Sequence, residues 1–167
     1  MRKNTVDNYI LPGLSSSLIE NGSVRMFECS RQHQEQVTPH SHRFEFACYV
    51  LAGEVKNRIW STCEEPYGDF FEVSMITYTG RIGHHSVVAK GRDFYNYNDS
   101  IYKKGDWYYM SADQIHSIQF SKGAMVLFFE GPSNDGPGSL IIEPVVDGIK
   151  IPTYKSEDWM FIKRSGS

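Results

Sequence analysis

Residues 39–55 read PHSHRFEFACYVLAGEV, and this stretch decides the fold. FACYVLAG is short, aromatic and β-branched, and it ends in Ala52-Gly53-Glu54, a tight hairpin connection. EVKNRIWST follows at once and has the same strand character. The stretch is therefore a β-hairpin, and His40 and His42 stand directly before its first strand. In an extended chain, residues i and i+2 project from one face, about 7 Å apart along the strand. The two imidazoles are thus expected side by side.

The same signal extends outward in both directions. VRMFECS, FFEVSMITYT, HSVVAKG, DWYYMSA, IHSIQFS, AMVLFFEG and SLIIEPV are further strand candidates, separated by Gly, Asn, Asp or Pro. Ser121-Lys122-Gly123 reads as a second tight connection, residues 134–138 (NDGPG) as a loop, and DWMFIK at 158–163 as a last edge strand. Many short strands at regular spacing, with almost no helix, predict an all-β sandwich or barrel. The exception is the N-terminal segment. Leu14, Leu18 and Ile19 have helical spacing, Pro12 suits a helix start and Gly22 a C-cap, so a short helix is expected there. The expected division is a helical segment over 1–23 and a β-barrel domain over 24–167.

Composition bounds what such a chain does. Its 167 residues, 40% hydrophobic and 14% aromatic, make one globular domain rather than a disordered chain. A domain of this size hides roughly 70% of its unfolded surface, so it needs neither disulfide nor structural metal to fold. Net charge is −3, and no basic run exists to grip nucleic acid or an anionic membrane. Cys29, Cys48 and Cys63 are odd in number and form no CxxC, which fits neither a disulfide framework nor a zinc knuckle. The opening residues lack the apolar core of a signal peptide, and no stretch is long enough to span a bilayer. A soluble, reduced, cytoplasmic setting is the expectation.

His116, in Gln-Ile-His-Ser-Ile, lies on a strand candidate 74 residues beyond His42. In a closed barrel that strand can lie beside the first. Two histidines from one strand and a third from a distant one form a mononuclear metal site with open positions.

PHSHRFEFACYVLAGEV resembles the first motif of the cupin superfamily, a histidine pair followed by an apolar strand ending in Gly-Glu. GDWYYMSADQIHSIQF resembles the second, with Gly105 eleven residues before the third histidine. The resemblance spans roughly residues 24–130 and implies a single-domain double-stranded β-helix, or jelly-roll barrel. Ser111 and Asp113 stand where the second motif has Pro and Gly. The glutamate ligand usual in cupins would fall at position 46, which is Phe46. Its neighbour Glu45 points away by strand alternation unless a bulge intervenes.

A cupin with three histidines and no carboxylate is similar to the thiol dioxygenases, the cysteine and cysteamine dioxygenase group. These also share the long, charged second strand after the Gly hairpin. That resemblance implies Fe(II) on His40, His42 and His116, with Ni, Zn or Mn as alternatives, and positions left for a small thiol substrate and O₂. Ala47 stands where the animal enzymes carry a crosslinking cysteine, and Cys48 is one residue away. Edge-strand homodimers are implied by resemblance alone.

A substrate carboxylate would need a guanidinium. Arg25, on the strand preceding the histidine pair, is the first candidate and Arg58 the second. For a tyrosine at the site, Tyr95 is chosen from Tyr95, Tyr97, Tyr108 and Tyr109. His84-His85 is read as a loop after Gly83, with an acid/base role if one of them reaches the barrel mouth. Glu64-Glu65 is a turn and His33 an exposed loop. Two other functions remain open: a non-catalytic small-ligand-binding cupin, and a metal-dependent isomerase or epimerase using His84 or His85.

Overall fold

Alternation is preserved where the hairpin lies. Strand β4 (Phe44–Ala52) buries Phe46, Cys48 and Val50 and leaves Glu45 exposed. In this computed structural model the described residues are 3–7, 13–20, 24–31, 39–65, 67–78, 85–133, 139–146 and 149–150. They hold no helix.

β4 turns at Gly53 into β5 (Glu54–Thr62). Gly53 has φ +70°, and a Cβ there would sit 2.7 Å from the Ala124 Cα. Positive φ and a backbone neighbour together demand glycine. Gly53→Ala is expected to lower the urea midpoint at unchanged m-value, by about 1–3 kcal/mol of stability. An unaltered midpoint would contradict this reading of the turn.

The remaining strands are β1 (Lys3–Val6), β2 (Leu14–Glu20), β3 (Val24–Cys29), β6 (Asp69–Tyr78), β7 (His85–Lys103), β8 (Trp107–Met110), β9 (Ile115–Phe120), β10 (Met125–Ser133), β11 (Ser139–Val146) and β12 (Ile149–Lys150). They form two six-stranded sheets, ordered β1-β2-β3-β10-β4-β8 and β12-β11-β6-β7-β5-β9. The named pairings are antiparallel. β1 to β4 lie in the first sheet and β5 to β7 in the second, and from β7 to β11 successive strands alternate between the sheets, so the chain crosses between layers as a jelly roll does. The sheets face each other across one core. Phe46, Cys48, Val50, Tyr108 and Val126 from the first meet Val55, Ile118 and Phe120 from the second. A smaller cluster of Trp60, Phe71, Tyr95 and Ile115 lies within the second sheet.

All nine strand candidates are strands, but the expected N-terminal helix is not there. Residues 14–20 are β2, paired to β3 in the register Leu14↔Cys29 and Leu18↔Arg25. Leucines four apart share one face of a strand as well as one face of a helix. Ser15–Ser17 are weak helix formers, and pairing on both edges, to β1 and β3, settles the matter. β7 also runs on to Lys103, twelve residues past the expected end. The expected loop 134–138, the edge strand 158–163, His33 and His84 lie outside the described residues. His85, expected in a loop, is the first residue of β7.

Candidate metal centre

Residues 39–43 precede β4 in an extended path, and each key residue there is tied to a distant partner. His40 and His116 exchange backbone hydrogen bonds of 2.9 Å in both directions. The Ser41 amide donates to the Leu140 carbonyl (2.9 Å), and the Leu140 amide donates back to the Ser41 hydroxyl (2.8 Å). The His42 amide donates to the Ala112 carbonyl (3.0 Å). Ser41 therefore faces β11, buried, while its two neighbours turn their rings the other way.

Those rings meet. His40 and His42 centroids are 4.7 Å apart, His40 and His116 4.9 Å, and His42 and His116 5.0 Å. Their ligand nitrogens all lie within 4.8 Å of one another, and no acid joins the group among the described residues. Nitrogens bonded at about 2.1 Å to one ion lie no more than about 4.2 Å apart, so small ring rotations close the triangle.

Two further observations fit an ion. His42 Nδ1 is buried with no hydrogen-bond partner among the described residues, an arrangement costly unless a ligand meets it. The Nδ1 of His116 stands 2.7 Å from Asn57 Oδ1. A carboxamide oxygen only accepts, so the ring nitrogen donates and its Nε2 keeps a lone pair for an ion. Asn57 is itself held in orientation, its Nδ2 donating to Met110 Sδ at 3.3 Å. Burial first, then repulsion from His40, pushes His42 down to about 3. The same causes, with His42 added, hold His116 well below the ordinary imidazole value. Both rings are neutral at neutral pH, as metal ligands must be.

Phe46 occupies the place of the missing carboxylate, with its ring 4.9 Å from His42 and 5.8 Å from His116. Glu45 is exposed on the opposite face of β4 and lines an outer groove. The centre is thus three imidazoles against an aromatic wall.

Beside it opens a cavity of about 260 Å³, lined by His42 and His116, by the aromatic rings of Phe27, Phe44, Phe46 and Phe128, and by Arg25 and Glu130. Arg25 is therefore brought to the site. Arg58 is not. It is buried, forks onto Asp99 at 2.7 and 3.0 Å, and stacks its guanidinium 3.7 Å from the Tyr97 ring centre. Tyr95 packs edge-on to Phe71 in the second cluster and does not line the cavity. The cavity's tyrosine is Tyr108, whose hydroxyl bonds Cys48; burial pushes the Cys48 thiol up to about 12 and Tyr108 well above its usual value.

Sequence reading missed Asn57 and Glu130, and among its four candidate tyrosines it chose Tyr95 where the cavity holds Tyr108. Asn57 and Tyr108 lie on predicted strands at inward positions, where polar groups need a reason to be. That signal was present but not specific. For Asn57 a test follows directly. Asn57→Leu strands the His116 Nδ1–H in the core and is expected to weaken metal binding 10- to 100-fold, measured by competition with a chromophoric chelator. Unchanged affinity would remove Asn57 from the site.

No protein-family model matches this chain, and no curated protein sequence does. Among solved structures it is similar to Drosophila melanogaster CENP-C bound to CAL1, with 11% identity and a TM-score of 0.46, over 78% of this chain and 81% of that one. It is similar to oxalate oxidase in complex with the substrate analogue glycolate, at 14% identity and TM-score 0.37, over 81% of this chain. The chain spans about half of that enzyme, 52% of its length. A cupin-like protein from Thermotoga maritima matches at 11% identity and TM-score 0.32, over 82% of this chain and 84% of that one. No helix among the described residues is long and apolar enough to cross a membrane. Strand order and facing sheets make the chain an all-β jelly-roll barrel with three histidines arranged as metal ligands on its inner face.

Proposed function

We propose that this chain is a mononuclear metal-binding barrel in which His40, His42 and His116 hold Fe(II), and that it uses O₂ to oxidise a small thiol. The observation that carries the reading is the donor set, three imidazoles and no carboxylate, with the Phe46 ring packed against them. Without a carboxylate the full charge of a divalent ion is left to be balanced by the substrate, which favours an anionic, soft thiolate. Bound Fe(II) would supply Lewis acidity toward the thiolate and a partner for O₂.

The chain's own residues do the rest. Asn57 fixes the His116 ring so that its free lone pair meets the ion. The aromatic lining excludes water and gives each polar contact a low-dielectric setting. Arg25 is placed to take a substrate carboxylate, and Tyr108 presents the cavity's one tyrosine hydroxyl against Cys48. Cys29, Cys48 and Cys63 are all free, which supports work in a reducing compartment such as the cytoplasm.

Two measurements test this. Protein purified without added metal is assayed for Fe, Ni, Zn and Mn, with about one ion per chain expected. O₂ uptake is then followed with cysteine, cysteamine and 3-mercaptopropionate on the iron-loaded protein. Iron without thiol-dependent O₂ uptake overturns the dioxygenase and leaves a ligand-binding or isomerising barrel.

A further inference from the structure

The wall of the cavity carries opposite charges that do not meet. Strand register places them. Phe128 of β10 is opposite Arg25 on one side and Cys48 on the other, and Glu130 is opposite Phe46. Phe128 and Glu130 alternate inward with Val126, which is fully buried. Arg25 and Glu130 are thus diagonal neighbours on one inner face, about 7–8 Å apart at the backbone. Both line the cavity beside His42 and His116. Neither forms an ion pair with the other or with any described residue. Among the described residues that line the cavity they are the only Arg, Lys, Asp or Glu, and the rest is mostly aromatic.

A guanidinium and a carboxylate that are half-buried on one cavity wall and not bonded to each other are both open to a ligand. A molecule carrying a carboxylate and an ammonium a few bonds apart would satisfy both at once with charge-assisted hydrogen bonds. A lone anion would leave Glu130 facing like charge, and a lone amine would do the same to Arg25. We infer that Arg25 and Glu130 form a dipolar clamp that selects zwitterionic small molecules, with the ammonium held by Glu130. This rests on the reading of the cavity as the substrate site, and it gives Glu130 a positioning role. The amine would be held by the protein, which leaves a thiol as the group presented to the imidazoles.

The probes are β-alanine, propionate and propylamine, titrated by ligand-detected NMR or calorimetry into metal-free protein. β-Alanine is expected to bind roughly tenfold more tightly than either singly charged probe. Glu130→Gln should erase the advantage over propionate, weakening β-alanine while relieving propionate of a like charge, and Arg25→Gln should erase the advantage over propylamine in the same way. Wild-type protein showing no preference for β-alanine, or a preference intact in Glu130→Gln, overturns the clamp. The wild-type comparison stands even if a variant fails to fold. With metal absent, the outcome is independent of the dioxygenase reading. Zwitterion selectivity without O₂ uptake sinks only that reading, whereas thiol-dependent O₂ uptake without selectivity sinks only the clamp.

Discussion

His116→Ala is expected to strip the centre, taking metal content from about one ion per chain to background. Losing a partner behind a ligand costs 10- to 100-fold in affinity, and losing the ligand itself costs more than that. The substitution removes the most deeply buried of the three rings, 3% exposed, and also leaves Asn57 Oδ1 unpaired in the core. Some loss of stability should therefore accompany it, about 1–3 kcal/mol for the unsatisfied carbonyl. A second variant separates the two effects. His42→Ala deletes a ring whose Nδ1 has no partner among the described residues, so metal should be lost with no such polar penalty. Retention of stoichiometric metal in both would show that the cluster is not the binding site.

The largest effect on stability is expected in the second cluster, outside the cavity. Phe71 is fully buried, with Trp60 at 5.2 Å and Tyr95 at 5.7 Å, both edge-on. Phe71→Ala opens a cavity between β5, β6 and β7 and should cost about 3–5 kcal/mol. For a domain of this length that corresponds to a melting temperature lower by roughly 10 °C. Phe71 is not among the residues that line the cavity beside the histidines, so metal stoichiometry in the folded variant should be unchanged. A drop of less than about 1 kcal/mol would mean that the cluster closes over the gap.

How far the sequence carried this picture depended on what each residue's neighbours were. The hairpin at Gly53 was legible because its turn chemistry and apolar strands are local. The pair His40 and His42 was legible because a spacing of two survives any extended path, even though residues 39–43 are not in a regular strand, and His116 because it lies within a strand pattern. Leu14–Glu20 was misread because its leucine spacing fits both periods, and only pairing with distant β3 decides between them. The second half of β7 was overlooked because Asp93, Asn96, Asn98 and Asp99 are poor strand formers on an exposed edge of the pattern. Tyr95 and Tyr97, buried and half-buried, alternate with Asn96 and Asn98 there. Arg58 looked like a substrate ligand until Asp99, 41 residues away, was placed against it. Glu130 gave no signal at all, since its meaning comes from Phe46 on one neighbouring strand and Arg25 on the other.

The bonds that tie Ser41 to Leu140 reach across 99 residues of chain. On a ribosome, the histidine pair emerges long before His116, and longer still before the strand that anchors the serine between the two rings. A nascent chain therefore cannot assemble the triad early. Metal capture belongs to the finished barrel, which alone brings the three rings together.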